Sequence, residues 1–182
     1  MTTARSSACA YVIGDDGVAR WSQTHSDAWI GLLETHKALT RSLDAELDAE
    51  HGLTLSAIEV LGRLAAAPGR RMGLSKLASA CALSLSRVSR IADDLQRRGL
   101  LTKETSPADA RATEATLTDA GLTATCEAQA THFASVQARF FEQLSPAELE
   151  TLAAVFRRFA PGAASECASD AAHAPAGIPP AT

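Results

Sequence analysis

The sequence predicts a mainly α fold (α+β) in which one short β-hairpin interrupts a series of helices. Three observations lead there. Apolar residues recur at steps of three and four through most of residues 26 to 160, capping signals punctuate that pattern, and near residue 100 it yields to two short Thr-rich segments.

Taken in order, Trp29, Leu32, Leu33, His36, Leu39, Leu43 and Leu47 mark a long first helix over about 27–51, with Gly52 as its stop. Ser56 and Glu59 have capping-box spacing, flanked by a Leu55/Val60 staple, so a second helix is expected from about Ala57. It buries Ile58, Leu61 and Leu64 and ends at Pro68 and Gly69. A short third helix covers about Leu74 to Cys81. Ser84 can cap a fourth, whose Val88, Ile91, Ala92 and Leu95 share one face before Gly99. Leu100 to Glu104 and Thr113 to Leu117, separated by Ser106, Pro107 and Asp109, read as a two-stranded hairpin with an exposed tip. Thr118 caps a long fifth helix with Leu122, Cys126, Phe133, Val136, Phe140 and Leu144 along its apolar side. Ser145 to Glu148 is a second capping box with proline at the first helical position, opening a sixth helix with Leu149, Leu152, Val155, Phe156 and Phe159 inward.

The 182 residues, 46% hydrophobic and 21% charged, suit one ordinary domain with tails. Residues 1–25 read as a flexible or loosely docked arm, 26–160 as the folded domain and 161–182 as a disordered tail. That tail holds four of the seven prolines and a single large aliphatic, Ile178, too little apolar surface to offset the entropy of ordering it. No stretch approaches the roughly 20 apolar residues of a membrane span, and the run from Ala8 to Ile13 is too short for a signal-peptide core. A cytoplasmic location without membrane contact is expected.

A net charge of -4 argues against a nucleic-acid partner only as an average. Residues 70–111 hold nine basic side chains (Arg70, Arg71, Lys76, Arg87, Arg90, Arg97, Arg98, Lys103 and Arg111) against four acidic ones, a local charge of +5, leaving -9 elsewhere. A charge cluster alone is most often a solvated face, so its surroundings decide. Here they are two short helices joined by a tight turn, the second followed by a hairpin, which describes a winged helix-turn-helix. In that motif the second helix enters the DNA major groove, about 12 Å wide. With Val88, Ile91 and Leu95 inward, Ser86, Arg87, Ser89, Arg90 and Asp93 face out, so small hydroxyls and arginines can approach base edges and phosphates. The alternative is a winged helix used for protein contacts, which has little reason to collect arginines on that face.

On Leu77-Ala78, Ser84 to Arg90, Arg97-Arg98-Gly99-Leu100, Asp109-Ala110-Arg111 and Leu117 to Gly121, the chain over about 27–160 resembles the MarR family of bacterial transcription regulators. The resemblance implies a sequence-specific double-stranded DNA-binding regulator, commonly a repressor released from its operator by a small molecule. Residues 57–118 would be the DNA-binding lobe, with 27–51 and 119–160 as dimerisation helices of a homodimer. The DNA-binding residues it implies, together with the outward face, are Ser84, Ser86, Arg87, Ser89, Arg90, Arg97, Arg98, Lys103, Asp109 and Arg111. The last two match the family's Asp-x-Arg wing signature, in which the arginine reaches the minor groove or its phosphates. A symmetric dimer would place two recognition helices about 34 Å apart on a pseudo-palindromic operator. Phe133, Phe140, Phe141, Phe156 and Phe159 independently support dimerisation, since they are more apolar bulk than the terminal helices need to cover one small lobe. One departure concerns the turn: helix-turn-helix turns commonly use glycine to reach positive φ, and Ala82 stands at that position.

The resemblance also implies a small aromatic or phenolic effector, for which Trp29, His36 and Arg63 could line a cleft, although Trp29 as plain packing is the simpler reading. Cys9, Cys81, Cys126 and Cys167 show neither Cys-x-x-Cys nor metal-finger spacing. Cys81 and Cys126 read as small core residues, while Cys9 and Cys167 lie exposed in the arm and tail, and the resemblance raises redox sensing through Cys9 as the alternative. His25, His36, His51 and His132 raise zinc sensing without a diagnostic spacing, so no metal or cofactor is expected. No Gly-x-Ser-x-Gly elbow, P-loop, paired-carboxylate pocket or His-Glu-x-x-His supports catalysis, and an enzyme is not expected.

Overall fold

The computed structural model of the chain describes residues 11–105 and 112–159. Two compact units divide within the first long helix, after Leu43. The first contains an antiparallel hairpin of β1 (Tyr11–Ile13) and β2 (Ala19–Trp21) and the opening turns of α1 (Gln23–His51). The hairpin lies in the segment expected to be an arm. Gly17 turns it at φ +73°, and Asp16 accepts from the Val18 amide and the Arg20 guanidinium. Three-residue strands have no periodicity for a sequence pattern to reveal.

The second unit holds the end of α1, then α2 (Leu55–Ala66), β3 (Arg71–Gly73), α3 (Leu74–Ala80), α4 (Leu85–Arg97), β4 (Leu101–Thr105), β5 (Thr113–Leu117), α5 (Asp119–Arg139) and α6 (Pro146–Phe156). The hairpin of β4 and β5 is as expected, but β3 pairs with β5 and makes a three-stranded sheet of order β3-β5-β4. The apolar faces of α2, α3, α4 and the sheet meet in one core, where Val60, Leu61, Leu64, Leu77, Val88, Ala92, Leu95 and Ala115 are completely buried. Ile91 is only half-buried beside them.

The caps at Ser84, Thr118 and Ser145 form as expected, the last as a full capping box with Glu148. The cap of α2 does not. Thr54 takes that place by accepting from the Ala57 amide, and Asp44 of α1 accepts from Leu55 at 2.8 Å. A carboxylate from another helix thus satisfies an amide of the first turn, and Ser56 is left inside the helix with its hydroxyl available.

Two further expectations are corrected. α5 stops at Arg139, so Phe140 and Leu144 lie beyond it, and it buries Gly121, Thr125, Ala128 and Ser135, with Leu122 half-buried against the core and Cys126 and Phe133 outside. Small residues bring α5 close to α2, where a Cβ on Gly62 would stand 3.3 Å from the Gln129 amide nitrogen. Cys126 is consequently exposed, not a core residue, and Phe133 is 65% exposed. Likewise no residue of α6 is buried within the chain, and Phe159 beyond it is 81% exposed. Cys81 does lie in the core, where burial pushes its thiol up to about 11.

Two backbone positions yield tests. Ala82 holds φ +50° in the turn between α3 and α4, with Leu83 and Ala82 donating to the carbonyls of Ala78 and Ser79. These bonds require the left-handed backbone, which costs an alanine about 1 kcal/mol. Ala82→Gly is therefore expected to raise Tm by about 2–4 °C in a calorimetric scan. Gly121, in contrast, has no room: a Cβ there would stand 1.9 Å from the Leu100 carbonyl oxygen. Gly121→Ala should destabilise the fold by about 3 kcal/mol or more, read as a lower denaturant midpoint at unchanged m.

Candidate nucleic-acid interface

The core-facing residues of α4 fix which of its side chains remain outside. Val88, Ala92 and Leu95 are buried, so Ser86, Arg87, Arg90 and Asp93 are exposed, and Ser89 is half-buried at the margin. Ser84 starts the helix by accepting from the Arg87 amide at 3.3 Å, and its hydroxyl lies 3.1 Å from that of Ser86. The N-terminal half of α4 is therefore a surface of hydroxyls and guanidinium groups on a rigid helix, as its spacing predicts.

The structure sorts the basic side chains that the sequence groups together. Arg87 donates to the Ser56 hydroxyl at 3.0 Å, a neutral partner on α2. Arg90 makes no hydrogen bond or ion pair among the described residues, leaving its fork of donors open to solvent. Arg97 pairs with Asp94 at 2.7 Å on the surface of α4. Lys103 on β4 reaches Asp93 at 2.6 Å and so ties the hairpin to the middle of α4. Arg98 donates from both terminal nitrogens to the carbonyls of Gly52 and His51, at 2.7 and 3.0 Å. Arg70 and Arg71, which frame β3, pair with Asp119 and with Glu114. Asp109 and Arg111 lie outside the described residues, as do Cys9 and Cys167.

Sequence reasoning gave Ser56 a capping role it does not have and passed over Asp44. Both carry ordinary surface chemistry, and only the packing of α2 against α4 and the end of α1 reveals what they hold. Between α2 and α4 a groove of about 550 Å³ is lined by Thr54, Ser56, Arg87, Arg90, Asp94 and Arg98.

A second cavity, about 680 Å³, lies between α2 and α5 and is lined by Arg63, Gln129, His132, Phe133, Ile58 and Met72 among others. Of the three residues expected at an effector cleft, Arg63 is on this cavity. Trp29 and His36 belong to the first unit, where Trp29 packs edge-on against Trp21 at 6.4 Å between ring centres. His132 has a buried Nδ1 without a hydrogen-bond partner, and burial holds its pKa below the usual imidazole range. His25 hydrogen-bonds Ser22 and His51 hydrogen-bonds Thr131. Among the described residues no three His, Cys, Asp or Glu side chains gather into a set that could hold a metal ion.

Comparison with known proteins bears on this arrangement. The MarR family model matches residues 51–112, from the end of α1 to the start of β5. AbsC, a MarR family transcriptional regulator from Streptomyces coelicolor, is 33% identical, with a TM-score of 0.71 over 78% of this chain and 95% of its own. The chain belongs to the MarR family. Proteins of the MarR family are transcription regulators, not enzymes, and the winged helix-turn-helix read from the sequence is the fold they share. Sco3205, a MarR regulator from the same organism solved in complex with DNA, is 28% identical, with a TM-score of 0.72 over 79% of this chain and 90% of its own. BpsR of Bordetella bronchiseptica, whose DNA binding is regulated by 6-hydroxynicotinic acid, is 22% identical and shares the fold, with a TM-score of 0.64 over 74% of this chain and 98% of its own. No curated protein matches by sequence. Among the described residues no helix is long and apolar enough to cross a membrane.

His132 supplies a pH test. The unfolded chain takes up a proton near pH 6.5, where the folded protein, with its lowered pKa, does not. Its contribution to stability is complete above that pH and is lost as pH falls through about 6.5 toward the folded value. Replacing His132 by Gln should therefore flatten the decline of Tm between pH 7 and 5.5, and an unchanged slope would contradict the assignment.

Proposed function

We propose that this MarR regulator is a cytoplasmic homodimer that binds a pseudo-palindromic operator in double-stranded DNA and represses until a small aromatic or phenolic effector releases it. The observation that carries the reading is the outward face of α4, where Arg87 and Arg90 have no acidic partner among the described residues. Both lie beside Ser86 and Ser89 on a helix whose other side is fixed in the core. Ser84, Ser86, Arg87, Ser89 and Arg90 would read bases and adjacent phosphates, while Arg97, Lys103 and, at the wing, Asp109 and Arg111 would position the backbone. The DNA complex of Sco3205 supports the same partner.

Dimerisation is supported by the apolar residues that the chain leaves uncovered on and beyond its last two helices, Phe133, Phe141, Leu149, Phe156 and Phe159. Such a patch on a soluble protein marks an interaction surface. Effector binding is supported by the cavity of Arg63, Gln129, His132 and Phe133, which offers a cation and amide donors beside an aromatic wall. An effector need only bind one spacing of the two recognition helices better than the other.

Duplexes selected from a random pool test the reading. Arg87→Ala, Arg90→Ala and Arg111→Ala should each weaken the selected site at least tenfold, and removal of a phosphate contact lowers the slope of log K against log salt by about 0.9. Wild-type affinity in all three variants, or binding indifferent to salt, would remove the DNA reading. Sedimentation should give a dimer, and Phe133→Asp should shift it toward monomer.

A further inference from the structure

We propose that Arg98 is a positioning residue of the recognition helix, the latch through which the end of α1 and the face of α5 set the placement of α4. This rests on the reading of α4 as the helix that enters the groove. Arg98 is the C-terminal cap of α4, its amide donating to the Asp94 carbonyl while the Gly99 amide donates to that of Gln96. Its guanidinium bridges to the end of a different helix, donating to the carbonyls of His51 and Gly52. Those carbonyls belong to the last turn of α1, which Gly52 ends at φ +62° and which has no further turn to satisfy them. A cation at that end also complements the helix dipole. A planar fork held by two carbonyls fixes direction as well as distance.

The same turn of α1 is held on its other side. His51 lies 2.8 Å through its Nε2 from the Thr131 hydroxyl on α5, and that hydroxyl donates to Glu50 at 3.1 Å. One backbone turn is thus clamped by α5 through a side chain and by α4 through its carbonyls. Lys103 grips α4 at Asp93, about one turn before Arg98, so two polar ties hold the C-terminal half of the helix, while Val88 and the Arg87–Ser56 bond seat its N-terminal half. A shift of the last turn of α1 relative to α5 is delivered to α4 through Arg98. Arg98 acts through the placement of α4 and not by neutralising a phosphate.

The two roles differ in what they do to salt dependence and to unselective binding. On the duplex that the wild-type protein selects, Arg98→Ala should lose at least tenfold in affinity with the slope of log K against log salt unchanged. Affinity for an unselected duplex of the same length should stay within twofold of wild type. Arg90→Ala, by comparison, should lower the slope by about 0.9 and weaken both duplexes. Arg98→Gln, which keeps amide donors and drops the charge, should recover part of the loss. The carbonyl carbon resonances of His51 and Gly52 should move in Arg98→Ala without any DNA present. In a double-mutant cycle, Arg98→Ala combined with Thr131→Val should lose less than the product of the two single losses.

A slope lowered by about 0.9 with both duplexes weakened equally, wild-type affinity in Arg98→Ala, or unmoved carbonyl resonances would overturn the latch and leave the DNA reading standing. A multiplicative double mutant would overturn the link to α5. If the wild-type protein selects no duplex, the DNA reading itself fails and the latch falls with it.

Discussion

The arrangement of the second unit depends on one close approach, between the turn that leaves α4 and the turn that enters α5. The Leu100 carbonyl accepts from the Thr118 amide at 3.1 Å, and the Thr118 hydroxyl both donates to the Gly99 carbonyl at 2.8 Å and accepts from the Gly121 amide at 2.9 Å. Gly99 can end α4 there because it takes φ +73°, and Gly121 can pass the Leu100 carbonyl because it has no Cβ. The end of α4, the start of the β4–β5 hairpin and the start of α5 are therefore tied together at one junction.

Electrostatics follow from that geometry in a way the charge of the segment does not convey. The local +5 is real, yet Arg70, Arg71, Arg97 and Lys103 each already face a carboxylate. The pairs of Arg70 and Arg97 are exposed and contribute little to stability, commonly below about 1 kcal/mol, so a phosphate can replace the carboxylate there at small cost, whereas Arg71 and Lys103 are more buried and tie their strands in place. Arg98 is different because its acceptors are backbone carbonyls at a helix end, which no further turn of α1 can satisfy. Arg87 and Arg90 are different again, having no acid to exchange. One count of cations thus separates into an exchangeable set, a structural bridge and a pair presented to solvent.

The uncovered apolar residues of α5 and α6 obey the same logic of faces. Helical spacing correctly identifies apolar stripes on both, but α5 turns its small residues toward α2 and leaves Phe133 outside. Small residues permit the closer approach, with Gly62 and Gln129 nearly in contact. Larger apolar side chains such as Phe133, Phe156 and Phe159 are left exposed.

By itself the sequence determined what neighbours along the chain can decide. Helix starts at Ser84, Thr118 and Ser145, stops at Gly52 and Gly99, the strand over Thr113–Leu117 and the buried and exposed sides of α4 are local consequences of capping and periodicity. Tertiary structure alone decided the partners that lie far apart in sequence. Asp44 at the start of α2, Ser56 under Arg87, β3 beside β5, the face on which α5 packs and the carbonyls that hold Arg98 all depend on which surfaces meet. Side-chain type and spacing constrain what a residue can bond, but the folded chain determines what lies within reach.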